Sequence, residues 1–157
     1  YPMAGFHGRG LSDLIARHGF GDSKMIADSL QRLRFQASAG FMHGFIDLVF
    51  EAAGRYYLAD YKSNFLGAMP DGYRLAQLNE VMAREQYPLQ YLIYTVAVHR
   101  YLRTRLPDYD YERHFGGAYY LFLRGMDPAL GHRCGVFFDR PKKALVEALD
   151  NQLRGAE

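Results

Sequence analysis

Across residues 11–34 the apolar side chains Leu11, Leu14, Ile15, Met25, Ile26, Leu30 and Leu33 recur at helical spacing, with Gly19 and Gly21 interrupting them. Apolar positions three and four apart line one face of a helix, so this stretch predicts two short helices. At Gly40 the rhythm changes. Residues 41–50 (FMHGFIDLVF) and 55–62 (RYYLADYK) are rich in aromatic and β-branched types and flank the small-residue segment Glu51-Ala52-Ala53-Gly54. That pattern predicts a β-hairpin.

Residues 63–72 carry Gly, Pro, Asn and Asp and predict a loop, followed by a helix over 73–86, where few residues are β-branched. Pro88 suits the first turn of the next helix, which runs to about residue 106, where Pro107 stops it. Its expected apolar face holds Leu89, Ile93, Val96 and Ala97. Residues 115–124 and 135–138 read as strands, and 144–153 as a closing amphipathic helix. The order helices, hairpin, helices, strands, helix predicts an α/β fold with a mixed β-sheet flanked by α-helices. A chain of 157 residues suits one core, so a single domain over 1–157 is expected, with a helical lead-in at 1–39 and the main core at 40–157.

Composition changes this picture little. A hydrophobic fraction of 49% with 23% charged residues is that of an ordinary globular chain and argues against disorder. Cys134 is the single cysteine, so no intramolecular disulfide or cysteine-cluster metal site is possible; this fits a reducing cytosol. Any metal must take oxygen or imidazole ligands. No run approaches the roughly 18 apolar residues that span a bilayer, and no signal-peptide pattern opens the chain, so a cytoplasmic protein without membrane association is expected. The first residue is Tyr1, which points to a piece of a longer polypeptide. A net charge of +2 permits DNA binding without demanding it.

Candidate chemistry lies in the hairpin. Side chains two apart on a strand share a face, so Asp60 and Lys62 stand together while Tyr61 points away. With an even turn over residues 51–54, Phe50 faces Arg55, Asp47 faces Leu58, and Asp47 joins the face of Asp60 and Lys62. The two carboxylates are then diagonal cross-strand neighbours, about 7–8 Å apart between Cα atoms. An odd turn would separate them unless a bulge restored the geometry. Paired carboxylates repel until a cation neutralises them, and an oxygen-only site with open water positions suits Mg²⁺, with Mn²⁺ as a substitute.

Phosphodiester hydrolysis needs a nucleophilic water and neutralisation of the charge growing on the phosphate. Asp47 and Asp60 are the candidate ligands, the Tyr61 carbonyl a third, and Lys62 the group that orients the attacking water or stabilises the developing charge. A solvated strand edge would also explain a bare Asp-x-Lys. Asp47 argues against it, because it interrupts the apolar run Phe45-Ile46-Leu48-Val49-Phe50, where a carboxylate without a partner is costly.

Gln90 and Tyr94 lie one helical turn apart and are placed to orient the ligands or touch a phosphate, or are ordinary polar decoration. His43 precedes the first acidic residue and is read as a surface side chain, as are His7, His18, His99, His114 and His132. Tyr56, Tyr57, Tyr61, Tyr73, Tyr91 and Tyr101 offer rings for base stacking, although core packing accounts for most of them. Arg100, Arg103 and Arg105 make a basic helix end, favourable to the helix dipole in any protein, with phosphate contact as the lesser reading.

Taken together, Gly44-Phe-Ile-Asp47, Asp60-Tyr-Lys62 and Gln90-Tyr-Leu-Ile-Tyr94 resemble the GxxD, DYK and QxxxY motifs of RecB-family nucleases, members of the PD-(D/E)xK superfamily. The longer runs GFIDLVF, YYLADYKSN, HRYLR, DYDYE and YYLFLRG are similar to the exonuclease V beta-subunit members of that family, over about residues 40–125 with a weaker continuation. The resemblance implies a restriction-endonuclease-like core. Asp47 and Asp60 match its metal-binding aspartates, Lys62 its catalytic lysine, and Gln90 and Tyr94 its supporting motif. One departure is that the family's ligand histidine, in a GxxxH setting on an upstream helix, has no counterpart before Gly40. It is expected N-terminal to this chain, in which case the domain alone binds metal weakly or cleaves poorly.

The resemblance further implies Mg²⁺-dependent exodeoxyribonuclease V activity in double-strand-break repair by recombination. It implies a helicase part elsewhere that alone uses ATP, RecC- and RecD-type partner subunits (gamma and alpha), a response to Chi sequences, and loading of the RecA recombinase. The main alternative is a catalytically silent docking module for partner subunits or recombinase. A resolvase or RNA-processing nuclease on the same scaffold is a third, disfavoured only by the longer runs.

Overall fold

The computed structural model describes residues 2–6, 8–19, 28, 38–41 and 44–154. Of the two helices expected at the start, the first is α1 (Gly8–His18), and the second falls outside the described residues. Leu11 and Ile15, one turn apart on α1, are buried. The lead-in also contains two short strands, β1 (Pro2–Phe6) and β2 (Ser38–Phe41), paired antiparallel. Neither PMAGF nor SAGF alternates polar with apolar residues, so periodicity gave no sign of them.

The main sheet has the order β3 (Leu48–Ala52), β4 (Arg55–Lys62), β5 (Phe115–Phe122), β6 (Val136–Asp139). The β3–β4 and β5–β6 pairs are antiparallel and β4–β5 is parallel. Crossing from β4 to a parallel neighbour requires a long connection, supplied by α2 (Leu75–Arg84), α3 (Tyr87–Arg105) and the short α4 (Tyr111–His114). The chain closes on α5 (Lys143–Arg154), which packs against α1 and α3. This α/β arrangement, a four-stranded mixed sheet flanked by helices, is that of a restriction-endonuclease-like core. Among the described residues, no helix is long and apolar enough to cross a membrane.

The hairpin is tighter than the expected four-residue turn. Ala52 pairs with Arg55, leaving Ala53 and Gly54 as a two-residue turn with φ of 52° and 74°. Positive φ at both central positions marks the turn whose twist matches two antiparallel strands, and it is costly only for the alanine. Phe50 therefore faces Tyr57, and not Arg55. The register moves by two residues, which preserves the face each side chain occupies because the strand period is two.

One sheet face carries Leu58, Asp60, Ala118, Tyr120, Phe122 and Phe137, all buried. The opposite face carries a row of rings, Phe50 to Tyr57 at 5.2 Å, Tyr57 to Tyr119 at 5.9 Å and Tyr119 to Phe138 at 4.7 Å between centroids.

Helix α3 starts and stops where Pro88 and Pro107 predict, but a different face is buried. Tyr91, Leu92, Thr95, Val96, Val98, His99 and Leu102 are inside, while Leu89 and Ile93 are half-buried and Ala97 is exposed. Two polar residues on the inner face, Thr95 and His99, blur the amphipathic signal. The His99 ring is accommodated by its contact to the Tyr109 hydroxyl at 3.0 Å, and burial lowers its pKa.

Candidate active site

The β3–β4 ladder begins at Leu48 opposite Ala59, and the same register extended by one position would bring Asp47 opposite Asp60 and not diagonal to it. Asp47 sits at a bend just before β3 and is exposed. Its Oδ2 accepts the Tyr61 backbone N–H at 2.9 Å, which ties its carboxylate to β4 beside Asp60. The sequence expectation that both acids share a face holds, through a shorter turn. The Tyr61 side chain is 45% exposed on the far side of the strand.

Asp60 is buried, with 6% of its surface accessible. It forms an ion pair with Lys62, two residues along the same face. Its Oδ1 is fully enclosed and is the atom that meets the Lys62 ammonium. Burial raises the Asp60 pKa above the ordinary carboxyl value; Lys62 pulls it back in part, and the Asp47 charge adds to the rise.

Gln90 organises the other side. Its Oε1 accepts from Lys62 Nζ at 3.2 Å and from the Tyr120 hydroxyl at 2.8 Å, while its Nε2 donates to the Tyr94 hydroxyl at 3.1 Å. Both ends of the amide are thereby engaged, and its orientation follows. Lys62 Nζ also lies 4.1 Å from the Tyr87 ring centroid and 5.0 Å from that of Tyr120, an aromatic slot that holds a cation by its π-faces. Burial raises the Tyr120 pKa, so its phenol stays a proton donor. The GxxD and QxxxY segments meet here as well: a Cβ on Gly44 would come within 3.1 Å of the Tyr94 ring.

Tyr87 and Tyr120 escaped sequence reasoning. Tyr120 faces Asp60 only through the parallel β4–β5 register, which no local pattern encodes. Tyr73, expected only as a ring for stacking or packing, is buried and has a further role. Its hydroxyl receives the Leu66 N–H at 3.0 Å and donates to the Asn64 carbonyl at 3.3 Å, fastening the loop that leaves Lys62. Tyr87 adds a bond to Asn64 Oδ1 at 3.3 Å.

The remaining candidates stand apart from this cluster. His99 is a core residue, and His114 Nδ1 accepts from the Asp110 N–H at 2.9 Å at the end of its own short helix. His18 and His132 lie elsewhere, and His7 and His43 fall outside the described residues. Among the described residues, no group of three or more His, Cys, Asp or Glu could hold a metal. Asp47 and Asp60 thus form a two-carboxylate pair. Arg100 is not a free phosphate-binding end but is paired with buried Asp150.

No protein-family model matches the chain. It is 48% identical over 123 residues to the RecBCD enzyme subunit RecB of Escherichia coli, a match covering 78% of this chain and 10% of that protein. It is 50% identical over 120 residues to the same subunit of Haemophilus influenzae, covering 76% and 10%. With the Mycobacterium tuberculosis subunit it is 42% identical over 171 residues, covering 97% and 16%. The chain belongs to the RecB family. It spans about a tenth to a sixth of the length of these curated relatives. In this RecB-family domain the GxxD, DYK and QxxxY segments, 43 residues apart in sequence between Asp47 and Gln90, converge on one face of one sheet.

Proposed function

We propose that this chain is the metal-dependent DNA nuclease module of a RecB-type helicase-nuclease, hydrolysing phosphodiester bonds to leave 5′-phosphate and 3′-hydroxyl ends. The observation that carries the reading is the buried Asp60 carboxylate, paired with Lys62 and lying near a second carboxylate, that of Asp47, which is tied to the neighbouring Tyr61 N–H. The donors fit a hard divalent cation: two carboxylates, with the Tyr61 carbonyl as the third ligand, supply oxygen only. Mg²⁺, or Mn²⁺ in its place, would supply a bound water of lowered pKa and positive charge beside the phosphate.

The chain's own residues do the rest. Asp47 and Asp60 are the ligands, and the Tyr61 N–H holds Asp47 in place. Lys62, steadied by Gln90 and the rings of Tyr87 and Tyr120, orients the attacking water or stabilises the charge that grows on the phosphate. The water oxygen bonds to phosphorus, the bond from phosphorus to the 3′ oxygen breaks, and a proton passes to that oxygen. Tyr94 positions Gln90 and the segment entering Asp47.

In the full-length protein we propose partnership with RecC- and RecD-type subunits, as the relatives' name RecBCD enzyme suggests, and with RecA, in recombinational repair of DNA double-strand breaks in the bacterial cytoplasm. ATP serves only the helicase portion. The test is cleavage of labelled single-stranded DNA in Mg²⁺ by the parent and by Asp60→Ala. Cleavage by the parent alone, with both proteins folded, is the expected result. Equal cleavage by both removes the site assignment, and a folded parent that neither binds Mn²⁺ nor cleaves, and gains neither when the family's upstream histidine helix is added, points to a silent docking module.

A further inference from the structure

Helix α3 links the candidate site to a second feature. Gln90, Tyr94, Ala97, Tyr101 and Thr104 follow one another at intervals of four and three, so they form one stripe along the helix. The stripe starts at the Gln90 amide beside Lys62 and ends in an open pocket of about 600 Å³, lined by Ala97, Arg100, Tyr101, Arg103, Thr104 and Arg154. At 1.5 Å per residue, Tyr101 lies about 16 Å along the axis from Gln90.

The pocket is cationic by construction. Three guanidiniums, from Arg100 and Arg103 on α3 and Arg154 on α5, surround the single buried carboxylate of Asp150. Arg100 is committed to it through Nε and to the Asp150 carbonyl through Nη2 at 2.9 Å. Arg103 and Arg154 reach only Oδ2, at 3.4 and 3.0 Å, and each side chain is 47% exposed. A guanidinium carries five donors, so both retain donors for another acceptor. Compensation of the two helix C-terminal dipoles accounts for one cation at each end, but not for three cations on one acid. Tyr101 stands at the same mouth, 58% exposed, with the Arg105 guanidinium 5.4 Å from its ring. An exposed ring beside paired arginines matches the needs of an unpaired base and its phosphate.

We infer that this pocket is a strand-holding subsite for single-stranded DNA: Arg103 and Arg154 grip a backbone phosphate and Tyr101 stacks on a base upstream or downstream of the cut. The inference rests on the nuclease reading for the direction in which the strand leaves the pocket. At about 3.4 Å per stacked nucleotide, the separation corresponds to roughly five nucleotides, fewer for an extended strand.

The test is fluorescence anisotropy of the full chain with labelled oligothymidylates of graded length, without divalent ions so that nothing is cleaved, and across a range of salt. The parent's affinity should step up once the strand is long enough to reach from Lys62 to Tyr101. Arg103→Ala/Arg154→Ala, which keeps the Arg100–Asp150 pair, should bind long strands about tenfold more weakly and short ones unchanged, and its salt slope should fall by about 0.7 for one lost phosphate contact. Tyr101→Leu, at an exposed position that leaves the fold intact, should cost about fivefold at unchanged slope. Binding of every length by these variants as by the parent overturns the subsite. So does loss of a polypeptide partner with DNA affinity intact, which would make the pocket a protein-docking surface. Mg²⁺ cleavage assayed in parallel separates the two readings: a length step without cleavage removes only the nuclease reading, and cleavage without a step removes only the subsite.

Discussion

Among the described residues two aspartates, Asp60 and Asp150, are buried, and their surroundings differ in kind. Asp150 is met by three guanidiniums and is covered on both oxygens. Asp60 has one ammonium, on its enclosed oxygen, and the charge of a second carboxylate, Asp47, nearby. A buried charge is tolerated when it is paired and costly when it is not. The carboxylate with surplus cations ties two helices together, whereas Asp60, with a single ammonium and a second acid nearby, is the one that the proposed divalent cation would neutralise.

The sharpest way to break this contrast is to remove each acid in turn. Asp60→Ala should lower DNA cleavage by about a thousandfold or more, measured as kcat on single-stranded substrate, with the melting curve still cooperative. Asp150→Ala should instead act on the fold. It strands three guanidiniums, two of them half in solvent, and should cost about 3 kcal/mol in denaturant unfolding while the folded fraction keeps its cleavage rate. Exchange of these phenotypes would show that the roles are reversed.

A second tier sharpens the Asp60 side. Lys62→Met should lower kcat about a hundredfold, since it removes the group nearest the developing charge. Gln90→Leu, which removes the hydrogen bonds to Lys62, Tyr120 and Tyr94, should cost about tenfold, with Gln90→Glu restoring part of it through the carboxylate's grip on the ammonium.

The smallest effect is on stability against pH. Because the Asp60 pKa is raised in the fold, the folded state holds its proton more tightly than the unfolded chain. The contribution of this group is therefore most favourable below the ordinary carboxyl value and declines as pH rises through the folded-state pKa. Thermal melts without divalent ions should show the parent losing stability relative to Asp60→Asn as pH rises through that window. A gain over the same window would mean that Asp60 behaves as an ordinary salt-bridged acid.

What could be read from the sequence was local. The hairpin, the extent of α3 and the shared face of Asp47, Asp60 and Lys62 follow from period-two alternation, proline positions and an even turn, and the two-residue slip in register left the faces unchanged. Long-range pairing was hidden. Tyr120 reaches Gln90 because β5 lies parallel to β4, Arg100 meets an acid 50 residues away, and Thr95 and His99 are polar yet inside. Motif resemblance reached the candidate trio Asp47, Asp60 and Lys62 and the Gln90–Tyr94 pair, but said nothing of the aromatic slot that holds Lys62 or of the cationic pocket at the far end of the same helix.

The central claim is that Asp47 and Asp60 together hold a divalent cation, and Mn²⁺ titration followed by electron paramagnetic resonance tests it directly. The parent should remove Mn²⁺ saturably from the free signal, and both Asp47→Asn and Asp60→Asn should lose that uptake while Arg103→Ala/Arg154→Ala keeps it. Saturable uptake that survives intact in Asp60→Asn would contradict the account.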